Sequence, residues 1–517
     1  MEGTNDTQML VVGAGPTGLA LALWLARFGV RPRIVDKTAG VAPVSRALGV
    51  HARTLEFYRQ LGFAGRAVDA GIVMESLNLW ARDRRVASVP IRDIGQGSTP
   101  YPFVLDLAQD DHERLLIAQL EAAGGRVERN AELTGLTQYR DGVVASLRHA
   151  DGSVEECRCA YVAGCDGTHS TVRTNLGVTF AGGTYEHLFY VADVNARGPA
   201  VGHGVNVALD EADLLAVFEM KGPGRVRLVG TVRGDAAAHA ERNDLTFADV
   251  ASAPLEHLRM EVDRVNWFST YRVHHRVASR FRVARVFLLG DAAHVHSPVG
   301  AQGMNTGIGD AVNLAWKLAA VVRGDADARL LDTYEPERIA FAQRLVATTD
   351  RLFAVASKTG RVAGFVRTKV FPAVVSIAFR SRAMRRYLFR TVSQTMINYR
   401  QSALSHGRAG AVHGGDRLPW VPPEGQGEDD NYKPLMSLRW QAHVYGEVRP
   451  ALRDVCDELQ LELYQFPWRP VMKRNGLARD SLYLVRPDGY VALALADTSS
   501  SGARALRDYA ARWRSKG

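Results

Sequence analysis

The stretch Met9–Lys37, "MLVVGAGPTGLALALWLARFGVRPRIVDK", constrains this chain more than any other. An apolar run leads into three glycines, an apolar helix-like segment, a second apolar run and an acid. Gly13, Gly15 and Gly18 fit the pattern G-x-G-x-x-G. The first permits a tight turn, the second lets backbone approach a pyrophosphate, and the third lets the helix pack close on the strand. The helix beginning around Pro16 and Thr17 offers free N–H groups and a positive dipole end to phosphates. Asp36 lies eighteen residues after Gly18, at the end of the second strand, with Lys37 beside it. Its carboxylate can accept hydrogen bonds from ribose hydroxyls. A 2′-phosphate would meet like charge there, which disfavours NADP in this pocket. The segment predicts strand, turn, helix, strand and a dinucleotide site, and leaves FAD and NAD both open.

A chain of 517 residues has room for two or three domains with large cores. Hydrophobic residues make up 46% and charged residues 23%, as in an ordinary globular protein. The longest apolar runs, such as Ala20–Ala26 and Ala373–Phe379, are too short to span a membrane. Few residues precede the first strand, so no signal peptide is expected and a cytoplasmic location fits. Four cysteines, Cys157, Cys159, Cys165 and Cys456, make no disulfide framework. Cys157-x-Cys159 lacks the second ligand pair a metal site needs. The net charge of +9 suits an anionic dinucleotide or an acidic substrate. No nucleic-acid-binding motif accompanies it.

Segments 75–105 and 190–230 alternate with Gly and Pro breaks, as antiparallel strands do. Arg285–Leu289 reads as a short strand ending at Gly290-Asp291, and Asp310–Val322 as an apolar-faced helix. Residues 338–400 read as largely helical. Within them, Arg351–Arg400 holds eleven Lys/Arg and no acid, a packed helical pair with a basic face or an anion- or membrane-surface helix. The stretch "GQGEDD" at 425–430 reads as loop.

Two further segments decide the nucleotide. Residues 161–173 read "YVAGCDGTHSTVR", and residues 285–318 read "RVFLLGDAAHVHSPVGAQGMNTGIGDAVNLAWKL". With the N-terminal motif they resemble the three fingerprints of the class A, single-component FAD-dependent aromatic hydroxylases, the family typified by para-hydroxybenzoate hydroxylase. The resemblance implies FAD as cofactor. It places Asp291 at a ribityl hydroxyl and Pro298, Gly300 and Gly303 in a loop against the flat ring. The helix starting at Asn305 or just after would turn the N–H groups of Gly303, Met304 and Asn305 towards the flavin N1–C2=O edge. Negative charge gathers there in reduced flavin, and a helix N-terminus stabilises it. Asp166, with Gly167, Ser170 and Arg173, matches the family's D-G-x-x-S-x-x-R form, implicated in FAD and NAD(P)H binding. Arg46 matches an arginine near the pyrophosphate and Gln109 a flavin-contacting glutamine. His294 and His296 lack the further ligands zinc would need, and structural hydrogen bonding is the expected role of His294.

"GGDRLPW" at 414–420 and "LVRPDGYVA" at 484–492 resemble the thioredoxin-like tail of larger phenol and polyketide hydroxylases, here without a C-x-x-C pair. The expected fold is α/β. Residues 1–180 and 276–400 would form a Rossmann-like FAD-binding domain, the latter part with a helical segment. An inserted sheet-rich substrate-binding domain would span 181–275, and a thioredoxin-like C-terminal domain 401–517. The expected reaction consumes NADPH or NADH and O2 and hydroxylates a phenolic or polycyclic aromatic substrate through a flavin C4a-hydroperoxide. Ring epoxidation and Baeyer–Villiger insertion remain open, as do monomer and homodimer. Tyr185, His187, Arg225 and the Pro298 carbonyl are candidate pocket groups, with no catalytic acid or base singled out. The alternatives are a halogenase or reductase of the same fold, although no W-x-W-x-I-P motif occurs, and a flavin-binding scaffold.

Overall fold

The computed structural model describes residues 6–41, 47–81, 83–202, 204–209, 215–232, 245–297, 300–356, 364–425 and 427–513. The glycine-rich segment folds as strand Thr7–Val12, helix Pro16–Arg27 and strand Arg33–Asp36. Thr7–Val12 is central in an eight-stranded sheet. It pairs in parallel with Val154–Gly164 on one side and Arg33–Asp36 on the other. Val286–Leu288 and Val127–Arg129 extend the parallel set outward. Strands covered on both faces read as continuous apolar runs, which explains the unbroken Met9–Val12. Helices Pro16–Arg27 and Gly303–Val322 join this core, with Trp24 and Trp316 buried.

The long helix begins at Gly303, slightly ahead of the expected start. Of its glycines, Gly303 reads in sequence as part of the preceding loop. In the fold Gly307 lets the helix approach Thr17, since a Cβ there would sit 2.2 Å from Thr17 Oγ1. Packing overrides weak helix propensity here.

A second eight-stranded sheet is mainly antiparallel. Phe180–Arg197 and Glu261–Ala278 form its long central pair, followed by Arg225–Val232, Leu215–Glu219 and Val205–Ala208. Ser76–Ala81 and Arg84–Pro90 complete one edge and His294–Val295 the other, so the sheet extends beyond 181–275 in sequence. One face is covered by helix Phe247–His257 over Tyr190, Ala192, Val194 and Leu228.

The C-terminal region forms a six-stranded mixed sheet. Gln441–Tyr445 and Glu462–Phe466 are parallel across helix Pro450–Glu458, and the antiparallel strands Leu482–Val485 and Val491–Leu495 follow, then helix Ser500–Trp513. This is a thioredoxin-like order of elements. Cys456 is buried and free.

Charged groups cross between this sheet and the first domain. Glu337 accepts from Lys317 Nζ at 2.8 Å and from Arg486 Nη1 at 2.8 Å. Arg486 also reaches Asp488 Oδ2 at 2.5 Å, and Trp316 Nε1 donates to the same oxygen at 3.1 Å. Burial opposes the charge on Glu337, and Arg486 and Lys317 more than offset it, so its carboxyl lies below the usual range. Removing one partner of a buried pair strands the other charge. Arg486→Met is therefore expected to cost about 3–5 kcal/mol. It should appear as a lower thermal unfolding midpoint of the purified protein, with a smaller loss in the Glu337→Gln/Arg486→Met double variant.

Candidate cofactor and substrate site

The three segments singled out in the sequence meet in space. Gly13 has φ +100°, and its N–H donates to Val35 O at 2.8 Å. A Cβ on Gly13 would lie 2.4 Å from Cys165 O, so the first fingerprint touches the second there. A Cβ on Gly18 would lie 1.9 Å from Gly13 O. Thr17 sits between Gly290 and Gly307, where added Cβ atoms would fall 2.6 and 2.2 Å from its Oγ1. The third fingerprint thus packs closely on the first at Thr17, and the two helices share one apolar core.

Two helix N-termini face this junction, and neither has a side-chain cap: Pro16–Arg27 after Gly15, and Gly303–Val322 after Gln302. Uncapped first-turn N–H groups need acceptors. At Gly15 a Cβ would meet nothing within 4 Å, so the backbone opens onto free space. An open glycine, a helix end without a cap and an acid at the next strand end suit a pyrophosphate and its ribose. Asp36 is already engaged: Oδ2 accepts from Ala14 N at 2.6 Å, and Oδ1 from Thr38 N and Oγ1 at 2.8 and 2.6 Å. Each carboxylate oxygen keeps further acceptor capacity. Lys37 is exposed, as is Asp291.

The other predicted residues are largely structural in their contacts. Asp166 Oδ1 accepts from Ser170 Oγ at 2.5 Å and Oδ2 from Val172 N at 3.0 Å. Arg173 donates to Thr168 O and Ala292 O, at 2.8 and 2.9 Å, and lies over the Phe180 ring. It ties the second fingerprint to the turn holding Asp291. Gln109 starts its helix, donating to Glu113 Oε1 at 2.8 Å and accepting from Ala47 N at 3.4 Å. Asn305 is buried and fully used. Its Oδ1 accepts from His51 N and Thr54 Oγ1, and its Nδ2 donates to Gly49 O and Ala301 O, all between 2.7 and 2.9 Å. Its side chain is a staple, which leaves recognition at this helix end to backbone. Gly300, at φ +80°, accepts from His51 Nε2 at 2.9 Å. Met304 Sδ lies 3.3 Å from His112 Nδ1, and His112 Nε2 accepts from Tyr58 Oη at 2.5 Å. Burial pushes both histidines down to about 4, so they are neutral. Arg46 and Pro298 lie outside the described residues, as does the His187 side chain. Among the described residues no three metal-ligating side chains cluster.

Several functional-looking groups escaped the sequence. Asp310 receives Gly290 N at 3.0 Å, His294 Nε2 at 2.7 Å and Arg338 Nε at 2.5 Å, with no exposure of its side chain. His294 is thereby structural. On the second sheet Arg227 pairs twice with Asp193, at 2.6 and 2.7 Å, and donates to Ala47 O at 3.1 Å. The candidate Arg225, two positions away, is exposed and donates to Lys221 O. Tyr185 packs edge-on against His275. Asp106 pairs with Gly49 across two strands and has a buried Oδ1 without a partner. Burial, aided by Glu219 and opposed by Arg227, holds its carboxyl well above the usual range. The position of Asp310 in the third fingerprint was the one available signal; the Asp193–Arg227 pairing had none.

Comparison with known proteins follows this geometry. Residues 6–349 match the family model described as FAD binding domain. The 6-methylpretetramide 4-monooxygenase of Streptomyces rimosus is 32% identical, over 94% of this chain and 90% of that relative. The dialkyldecalin synthase of Streptomyces rugosporus is 30% identical, over 94% and 96%. A solved ternary complex of aklavinone-11 hydroxylase with FAD and aklavinone superposes with a TM-score of 0.77 at 26% identity, covering 99% of both chains. With its three fingerprints gathered at one junction and matched along this length, the chain belongs to the FAD-dependent aromatic hydroxylases, flavoprotein monooxygenases of aromatic and polyketide compounds.

Proposed function

We propose that this chain hydroxylates a bulky phenolic or polycyclic aromatic compound of polyketide type, using NADH or NADPH and O2. The observation that carries the reading is the meeting of three distant segments at one junction, the second against Gly13 and the third against Thr17, beside an open glycine and two uncapped helix ends. The polycyclic compounds in the names of the monooxygenase relative and the hydroxylase complex support the choice of substrate class.

Bound FAD supplies electron transfer from the nicotinamide and activation of O2, one oxygen atom entering the substrate and the other leaving as water. The chain's own residues bind, orient and keep the site dry. Gly13, Gly15, Pro16, Thr17 and Gly18 would cradle the pyrophosphate, with Arg46 assigned from sequence alone. Asp36 and Lys37 would flank the adenosine ribose, and Asp291 would meet the ribityl chain. Asp166 would hold the second fingerprint in place. Gln109, Gly300, Gly303, Met304, Asn305 and, from sequence alone, Pro298 would border the ring. The backbone at 303–305 would hold its electron-rich edge. Arg227 fastens the second sheet to Ala47 and so forms one wall of the substrate space. The neutral histidines His51 and His112 bring no charge that would draw water in, and a dry site favours oxygen transfer over peroxide release.

A second reading is favoured by one observation. The relative named dialkyldecalin synthase aligns along nearly the whole chain, which supports a flavin-binding fold used for ring closure. The two readings separate in a screen of NADH and NADPH oxidation against phenols and polyketide aromatics, with product mass. A hydroxylase consumes nicotinamide in step with substrate and adds one oxygen atom. A product of unchanged mass without nicotinamide oxidation would overturn the proposal.

The histidine environment sets a pH limit. His51 and His112 lie below their ordinary value of 6.5, at about 4, because burial penalises the imidazolium. The unfolded chain binds protons first as pH falls, so their contribution is full above about pH 6.5 and is lost as pH drops through about 4. Both touch the 300–305 region, so flavin retention should fall across that window. Fluorescence of released flavin during acid titration measures it. Replacing His112 with Gln should flatten the pH dependence.

A further inference from the structure

The segment from Phe365 to Met396 differs from the rest of the surface. Nine of the fourteen large apolar side chains exposed among the described residues lie in it. Phe365 is 61% and Ile377 65% exposed. Helix Phe371–Ala378 turns Phe371, Val374 and Ile377 outward, a spacing of three that lines one stripe. Its Val375 packs inward on Leu77, Leu79 and Val207 of the second sheet, so the helix is anchored while its outer stripe is bare. The next helix, Arg382–Val392, is anchored by Phe389 against Gly95 and exposes Tyr387. Scattered apolar residues on a surface are ordinary, but a contiguous patch marks an interaction site.

The same segment is strongly cationic. Residues 351–400 contain eleven Lys/Arg and no Asp or Glu. Lys369, Arg380, Arg382 and Arg386 are exposed, and along the chain the described ion pairs pass from Arg338 directly to Arg400. We propose that this face docks on the surface of an anionic lipid bilayer. The apolar stripe would enter the boundary between headgroups and acyl chains while the cations meet lipid phosphates. A second copy of the chain is a poorer occupant. A two-fold contact would set these cations against themselves, with no carboxylate in the segment to pair them. Association is with the surface only, since no described helix is long and apolar enough to cross a membrane.

Flotation of the purified flavin-loaded protein with vesicles tests this. Phosphatidylcholine–phosphatidylglycerol vesicles should retain at least about tenfold more protein than pure phosphatidylcholine vesicles, and salt should reduce the difference. Lys369→Glu/Arg382→Glu should weaken binding about thirtyfold or more, and Phe371→Ser/Ile377→Ser should abolish retention, each with unchanged flavin content. Wild-type protein that floats with neither vesicle, or with both equally, overturns the proposal. So does wild-type self-association that the Phe371→Ser/Ile377→Ser variant disperses, which would assign the face to a second copy. The salt series on the wild type decides the electrostatic part even if a variant fails to fold, because binding indifferent to salt refutes it.

Discussion

The carboxylate of Asp310 is the contact on which the rest of the site depends. It is fully buried and accepts from the Gly290 backbone, from His294 and from Arg338. Burial alone would favour its neutral form. Arg338 and His294 outweigh that, and the carboxyl stays below its usual range. One ionised group therefore fixes the strand end before Asp291, the turn through His294, and the long helix that carries Asp310 itself. Arg338 continues outward, donating to Thr306 O at 3.0 Å and to Tyr399 Oη at 2.8 Å. Tyr399 packs on Tyr490 of the C-terminal sheet, their rings 4.4 Å apart. The glycine-rich junction and the C-terminal domain are parts of one buried polar network.

That network explains why a domain without a dithiol is joined so firmly to a nucleotide-binding domain. Arg486 and Asp488 reach Glu337 and Trp316, and Arg417 reaches Glu56, a buried carboxylate that also holds Arg53 and Thr99. Burying this many charges is costly, and apolar replacements can match such pairs in stability. What pairs add is geometry, since directional bonds admit fewer arrangements than apolar contact. The one helix that bears Asn305, Asp310 and Lys317 is held in register by directional bonds near its start and again at Lys317.

The sequence was legible where chemistry is local. Gly13, Gly15 and Gly18 announce their roles by spacing; the structure gives Gly13 and Gly18 a steric reason and leaves Gly15 facing open space. The strand–helix–strand start followed from the apolar runs on either side of the glycine turn. Other features depend on residues that only folding brings together. Arg227 and Asp193 are 34 positions apart, and Arg486 and Glu337 are 149 apart. No periodicity relates such pairs, which is why the sequence pointed to Arg225 and passed over Arg227. The long helix begins at Gly303, close to the expected start, and Gly307 within it allows the approach to Thr17.

Asn305 shows how recognition is divided at this site. It stands at the head of a helix, where a polar side chain invites a ligand-binding role, yet all of its hydrogen-bonding positions are used within the protein. The same holds for Arg173, whose guanidinium bonds backbone carbonyls. Side chains here fix backbone, while the two helix ends after Gly15 and Gln302 carry no side-chain cap. A site built this way tolerates change in a guest's outline, because its donors belong to the helix axis and not to rotamers. The second sheet is tied to this frame by Arg227 on Ala47 O and by the edge strand His294–Val295, which pairs with Glu261–Ala278.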